Sequence, residues 1–548
     1  MCVKSLILLA LIVSQFCPAM TVVAAPDQTI WFVRDGIAVD VMDEKQAWNS
    51  TAEGLTARGE SSRLDAGQSV GEGDFEIFAE LKIDDVERDN ASLMLDAAGA
   101  IETGELIFAR DRQVVVRGFF FGDRTQQVRP VRGLIESSEW FRLRVVRQAG
   151  VVTFLINDVP IWKMDYASSR PFGKLTLKPG EAKLTVRSFG VRGQTSPLDE
   201  WVPRLDRRFA VAGEAHTDVF VSGHDGYHTY RIPAIVRSNH GSLLAFAEGR
   251  KNSHHDHGDV DLVLRRSIDQ GRTWLPMQLV YEEGDAAPIT IGNPVPVVDR
   301  RTARVWLFFC RDNKHVLVTS SDDDGLSWRK PVDLTATLKR DQWAEWYATG
   351  PCHGIQLSSG RLLIPANHGV QGAGRSSRVH MILSDDQGAT WRLGGEPDLP
   401  ANENSVAELS DGRLYANMRM SGHDNSQPYC RVICWSDNAG ESFGPAKIDR
   451  QLVCSICQAS VLRSRGHNAE DLLLLSNPNS QRRERMTIRA SRDGGRTWNQ
   501  GLRIYEGSSA YSDMVPIDED FAGLLFERDL YAAITFVRFK PSRVAREQ

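Results

Sequence analysis

The chain is predicted to be all-β: a six-bladed β-propeller preceded by a β-sandwich. Three observations carry this. A short turn box, S-x-D-x-G-x-T-W, recurs through the C-terminal three-fifths of the sequence. Six strongly apolar strands recur in the same region at near-constant steps. The N-terminal region alternates apolar and polar residues in short runs, and no long helical periodicity interrupts either part.

The first residues read as an export signal rather than as fold. Lys4 precedes an apolar run from Leu6 to Val13, and "TVVAA" ends in the small residues Ala24 and Ala25. Residues 1–25 are therefore expected to be removed, placing the mature protein in a periplasm or outside the cell. The run is too short to span a bilayer, and no later segment approaches the ~20 apolar residues a membrane span needs.

Residues 27–193 carry the sandwich pattern. "FEIFAELKI", "WFRLRVVRQ", "VVTFLIND", "KLTLKPG" and "AKLTVRSFGV" each alternate, punctuated by Gly, Asp and Asn. The stretch "EWFRLRVVRQAGVVTFLINDVPIW" resembles the concanavalin-like, laminin-G-like sandwiches attached to carbohydrate enzymes. That resemblance implies either a glycan-binding module or a spacer. Residues 194–218, rich in charge and holding two prolines, read as a linker.

Residues 219–545 carry the repeats. The box occurs as "SIDQGRTW", "SDDDGLSW", "SDDQGATW" and "SRDGGRTW", with a degenerate copy, "SDNAGESF". The Asp side chain can bond backbone N–H groups ahead of it, and Gly supplies a left-handed conformation. The Trp is expected to pack against the next repeat. These boxes are structural. With Leu244, Trp306, Leu363, Leu414, Leu473 and Leu525 as landmarks, the apolar strands step by 62, 57, 51, 59 and 52 residues. Each step holds a four-stranded sheet, and a ring of six leaves only short, protected edges. The apolar strands are expected near the axis, with their polar ends converging at one mouth.

Composition narrows the function. A formal net charge of -6 with no basic stripe argues against nucleic acid. Six cysteines follow residue 25: Cys310, Cys352, Cys430, Cys434, Cys454 and Cys457. Their spacing is superficially zinc-like. However, Cys430 and Cys434 on one strand would stand about 13 Å apart, too far to share an ion. Buried thiols are expected instead, with a disulfide open in an oxidising compartment. The run "HHDHGDVD" (His254 to Asp261) also looks metal-like, but no metal or cofactor is expected.

"YRIPAI", the turn boxes and six units together resemble the bacterial exo-sialidase (neuraminidase) family across roughly residues 219–544. The resemblance implies a retaining glycoside hydrolase that releases terminal sialic acid from sialylated glycans. Three arginines would grip the substrate carboxylate: Arg231 in "YRIP", Arg419 ending "GRLYANMR", and Arg483 in "RRERMTIR", with Arg485 as the neighbouring alternative. Guanidinium forks match carboxylates and stay charged. Arg250 would lie near the bound sugar. Tyr511 would be the nucleophile and Glu403 its base. Asp256 in the histidine-rich loop would be the acid/base, and Glu527 would hold Arg231. Two alternatives stay open: hydrolysis of a related nonulosonic acid, and a glycan-binding propeller without turnover. "PCHG" (Pro351 to Gly354) has no role in this reading.

Overall fold

The computed structural model describes residues 29–546, apart from 44–46, 60–61, 85–90, 98–102, 110–112, 118–125, 132, 166–171, 198–204, 206–208, 373–375, 422–427 and 466–470. The proposed leader, and residues 198–204 and 206–208 of the segment joining the two regions, therefore lie outside the described residues. The chain forms two compact units, one essentially up to Trp201 and the other from Val202 onward. Among the described residues the only helices are the four-residue Thr335–Leu338 and Pro541–Val544. None is long and apolar enough to cross a membrane.

The first unit is antiparallel β-sheet. Its strand Trp140–Gln148 buries every second residue, and Val151–Ile156 does the same. The two pair in register through a two-residue loop, Ala149–Gly150, with φ of 49° and 79°. Positive φ at both positions gives the turn a twist that matches the flanking strands. Phe141, Leu143, Val145 and Phe154 all point to the core face. Two long strands, Leu64–Asp84 and Lys183–Pro197, tie this hairpin to the rest. The second of them runs on past Gly193, which sits at φ +114° beside a register shift and bends the strand without ending it.

The second unit holds five separate sheets. Four are built on Thr229–Arg237, Ile291–Val298, Trp343–Thr349 and Ala401–Glu408 as first strands. The fifth has seven strands and contains two meanders that share the long strand Leu502–Pro516. Inner strands of neighbouring sheets touch in sequence, with Leu362–Val370 making the contact to Ala401–Glu408, and Leu502–Pro516 touches Thr229–Arg237 again, so the ring closes on itself. This is a β-propeller. The axis is lined by these first strands. The apolar runs Leu243–Arg250, Val305–Arg311, Leu362–Val370, Leu414–Met420, Asp471–Pro478 and Ala522–Arg528 come second in their sheets, flanked on both sides and one strand out from the axis. They read as continuous apolar runs because sheets above and below cover both their faces.

The unit also begins earlier than residue 219. Ala215–Val221 pairs with Ala533–Phe539, so chain from the N-terminal side completes the last sheet. The turn boxes supply a second closure. In the first, Ser267 Oγ donates to Asp269 and receives Gly271 N–H at 2.8 Å, while Asp269 accepts from Thr273 N–H at 2.9 Å. Ser321, Ser384 and Ser491 repeat the pattern, and Asn438 replaces the Asp in the degenerate copy. The box tryptophans pack on the preceding sheet, not the next. Trp328 meets Phe246, Trp391 meets Phe308, and Trp274 of the first sheet meets Phe536 of the last. The box sits after the third strand of its sheet, and the right-handed twist turns that corner back toward the sheet before.

Candidate active site

Polar residues at the ends of second strands, together with groups from first and third strands, gather at one mouth of the ring. Arg231 follows Tyr230 on the first strand, where a register shift opens between Arg231 and Ala234 and Ile232 adopts φ +58°. That bulge turns Arg231 into the site, where it is 1% exposed. A buried guanidinium requires a partner. Glu527 supplies it, accepting from Arg231 Nε at 2.8 Å and Nη2 at 3.4 Å. The same carboxylate accepts the backbone N–H of Ile232 at 2.8 Å and of Tyr511 at 3.0 Å. Glu527 thus fixes an arginine and the backbone of the tyrosine at once.

Tyr511 is buried in the middle of Leu502–Pro516. Its hydroxyl makes a very short hydrogen bond to Glu403 Oε1. Arg419 Nη1 donates to the other Glu403 oxygen at 2.8 Å and lies 3.2 Å from the Tyr511 hydroxyl. Arg231 and Arg483 both lie over the Tyr511 ring, 5.3 and 5.2 Å from its centroid. Burial pushes the phenol well above its ordinary value, Glu403 adds to that, and Arg419 and Arg483 oppose it. In the free site Tyr511 is therefore protonated, with its proton already directed at Glu403.

Arg483 occupies the third cationic position. It donates to the Tyr531 hydroxyl at 2.8 Å and to the Ile456 carbonyl at 2.7 Å. Its neighbour Arg485 adopts φ +64° and turns outward to an exposed pair with Glu506 at 3.2 Å. Arg231, Arg419 and Arg483 thus reach one pocket from three different sheets.

The histidine-rich run forms a loop between second and third strands of the first sheet. It delivers one acid to the arginines. Asp256 Oδ1 lies 2.9 Å from Arg250 Nη1 and 3.5 Å from Arg231 Nη1, with the side chain 60% exposed. Partial burial pushes this carboxyl up, but Arg250 and Arg231 outweigh it and hold it well below the usual carboxylate range. His254 is driven down to about 3 by burial and the neighbouring cations, so it is neutral. Arg250 is anchored in turn by Glu248, at 2.6 Å from Nη2. Asp261 accepts from Tyr227 at 2.6 Å and pairs with Lys251 at 3.2 Å, both internal ties of the sheet.

Sequence reasoning missed several groups here. Glu248 is one of them: it shares a strand face at a spacing of two with Arg250, which the sequence places near the sugar, and that spacing is a legible signal. His353 of "PCHG" lies at the axis, its Nδ1 2.7 Å from Asp513 Oδ1. Burial pushes its imidazole down, but the Asp513 carboxylate prevails and raises it. Asp513 also accepts from Ser460 Oγ at 2.8 Å and Ile235 N–H at 2.9 Å, so one acid ties three sheets beneath Tyr511. Cys457 packs against Tyr511 and Ile232 in the pocket floor. All six described cysteines are buried and free.

Among known proteins, the BNR repeat-like domain family model matches residues 241–523. The chain is 33% identical over 340 residues to a sialidase of Micromonospora viridifaciens, covering 57% of this chain and 51% of that protein. It is 31% identical over 364 residues to an exo-alpha-sialidase of Arthroderma benhamiae, covering 59% of this chain and 83% of that one. It therefore spans about half the length of the first relative and most of the second. The fold matches the solved Hadza microbial sialidase Hz136 with a TM-score of 0.56 at 24% identity, covering 88% of this chain and 96% of that one. An intramolecular trans-sialidase from Ruminococcus gnavus matches at 0.52 and 16% identity over 61% of this chain and 99% of its own. With that repeat family spanning half the chain and a curated relative matched over most of its length, this protein belongs to the BNR-repeat sialidase family of glycoside hydrolases.

Proposed function

We propose that the protein is a retaining exo-α-sialidase that uses Tyr511 as its nucleophile and acts on sialylated glycans outside the cytoplasm. The observation that carries this is the convergence of three guanidiniums around one phenol whose proton is directed at Glu403. A sialic acid bears a carboxylate on its anomeric carbon. A site for it needs fixed cations, and a nucleophile that brings no full negative charge of its own. Arg231, Arg419 and Arg483 supply the first requirement and a protonated tyrosine the second.

The geometry supports the following steps. The arginines hold the carboxylate and aim the anomeric carbon at Tyr511. Asp256 gives a proton to the leaving glycosidic oxygen. Tyr511 attacks as its proton passes to Glu403, and a glycosyl-tyrosine forms. Asp256, now ionised, takes a proton from water, which displaces the tyrosine as Glu403 returns its proton to the phenol oxygen, with net retention; sialidases are the known exception to the two-carboxylate rule. Extracellular action rests on the leader pattern of Lys4 to Ala25.

The test is initial-rate kinetics on a fluorogenic sialoside with the full chain. Tyr511→Phe should lower kcat by about 10³-fold or more, and Asp256→Asn by about 10²–10⁴-fold. Both should keep the wild-type melting temperature. Absence of turnover by wild type, with tight sialoside binding, would leave a glycan-binding propeller. Turnover confined to another nonulosonic acid would replace the substrate and keep the mechanism.

A further inference from the structure

Arg231 and Arg483 are like charges that both lie over the Tyr511 ring. One residue outside the sequence-derived set touches both. The face of the Tyr531 ring lies 3.8 Å from the Arg231 guanidinium carbon, and its hydroxyl accepts from Arg483 Nη1 at 2.8 Å. Tyr531 is 4% exposed and packs with Ile232, Cys457 and Tyr511.

The backbone that presents this side chain is unusual. Asp529, Leu530 and Tyr531, none a glycine, adopt φ of 55°, 55° and 72° in the turn between Ala522–Arg528 and Ala533–Phe539. A run of left-handed residues is costly and persists only where its surroundings impose it. Here they do. Asp529 is gripped by Arg528 at 2.6 Å and by the Tyr505 hydroxyl. Ser508 carbonyl accepts Asp529 N–H at 2.8 Å, and Ser222 Oγ donates to the Tyr531 carbonyl at 2.6 Å. The strain serves to turn one phenol inward between two arginines.

The partners of the three cations also differ. Arg231 pairs with Glu527 and Arg419 with Glu403. The Arg483 contacts to Tyr531 and Ile456 are with neutral acceptors, which orient its fork without cancelling its charge. We propose that Tyr531 is a positioning residue. Its ring supports Arg231 by cation–π attraction, its hydroxyl aims Arg483, and together they set the spacing of the two guanidiniums to that of one carboxylate. This rests on the reading that these arginines bind the substrate carboxylate.

Tyr531→Phe keeps the ring and removes the acceptor for Arg483. The test compares binding of 2-deoxy-2,3-didehydro-N-acetylneuraminic acid and its methyl ester to wild type, Tyr531→Phe, Arg483→Ala and the double variant, by calorimetry. Preference for the acid over the ester should shrink about tenfold in Tyr531→Phe, the weight of one hydrogen bond to a charged group. It should shrink no further when Tyr531→Phe is added to Arg483→Ala. KM should rise by a similar factor with kcat within about twofold. A general loss of packing would weaken acid and ester equally, and that result would overturn the proposal. A shrunken preference in Arg483→Ala but not in Tyr531→Phe would overturn it while leaving the carboxylate reading intact. An unchanged preference in Arg483→Ala would overturn both. Tyr531→Leu, which loses ring and hydroxyl together, should shrink the preference about tenfold beyond Tyr531→Phe, and equality of the two would remove the cation–π part.

Discussion

Glu527→Gln is the sharpest perturbation of this site, because the substitution is nearly isosteric and the residue is fully buried. Oε1 accepts from Arg231 Nε and Ile232 N–H, both at 2.8 Å. Oε2 accepts from Tyr511 N–H at 3.0 Å and from Arg231 Nη2 at 3.4 Å. An amide has one acceptor oxygen. Whichever way it turns, its NH₂ faces a buried donor, and the Arg231 charge loses its counter-ion. Removing one partner of a buried pair costs about 3–5 kcal/mol. Since one oxygen is retained, the lower end applies, about 3 kcal/mol. A domain of this size loses roughly 2 °C per kcal/mol, so the melting temperature should fall by about 6 °C. Both kinetic constants should worsen, since Arg231 and the Tyr511 backbone lose the same anchor. Differential scanning calorimetry and sialoside kinetics read the two effects, with Tyr511→Phe as the variant that loses rate without losing stability. A melting temperature within about 1 °C of wild type, with KM unchanged, would refute the assignment of Glu527 as the anchor.

The propeller also predicts its own responses. His368 and His380 are buried side by side, with Nδ1 atoms 3.0 Å apart and His368 stacked on Trp343 at 3.6 Å. Burial lowers both imidazoles, His368 to about 3. The unfolded histidines take up protons below pH ~6.5 and the folded ones do not, so stability is full above that pH and declines as pH falls toward 3. For His368 alone the loss from pH 7.5 to 5.0 is about 2 kcal/mol; His368→Phe should flatten the melting temperature against pH, and an unaltered slope would discount this pair. In the first turn box, Gly271→Ala should cost about 2–4 kcal/mol. Its φ is +82° and the new Cβ would lie 2.1 Å from Phe536 Cε1. Gly372→Ala, at φ +74° with open space around it, should cost only about 1 kcal/mol by urea titration, and equal costs would show that the Phe536 contact is unimportant.

The legible parts of this molecule were those encoded locally. Each box carries its own hydrogen-bond pattern within eight residues, so its recurrence exposed the repeat. Arg250, Arg419 and Glu527 sit where an apolar strand turns polar, a change visible in sequence. Family resemblance placed Tyr511 and Glu403, whose 108-residue separation no local rule bridges. The choice between Arg483 and Arg485 turned on one left-handed residue that reverses which side chain faces inward. His353 and Asp513 meet across 160 residues at the axis, and neither has a neighbour in sequence that hints at the other. Tyr531 stands in a turn of three left-handed non-glycine residues, which turn chemistry disfavours. What escaped was decided either by ring closure, as for His353 and Asp513, or by left-handed backbone that no glycine announces, as at Arg485 and Tyr531.

The electrostatics of the site suit the proposed mechanism, in which the two reacting groups are a phenol and an exposed carboxylate, not two buried carboxylates. Tyr511 is neutral in the free site. A carboxylate in its place would face the substrate carboxylate at ~4 Å, a repulsion of about 4 kcal/mol at an effective dielectric of 20. Basicity is instead set one atom further back, on Glu403, whose charge Arg419 shares. Asp256 begins in the opposite state, ionised under Arg250, Arg231 and Arg483. In that mechanism two of those three cations, Arg231 and Arg483, are the ones that would hold the substrate carboxylate. Binding therefore weakens the field that keeps Asp256 ionised, and does so only when the sugar is seated. The acid regains its proton where the leaving oxygen needs it, while the phenol keeps its own until the anomeric carbon is in reach. On the proposed mechanism one set of arginines thus has two tasks, recognising the substrate and setting the protonation of Asp256.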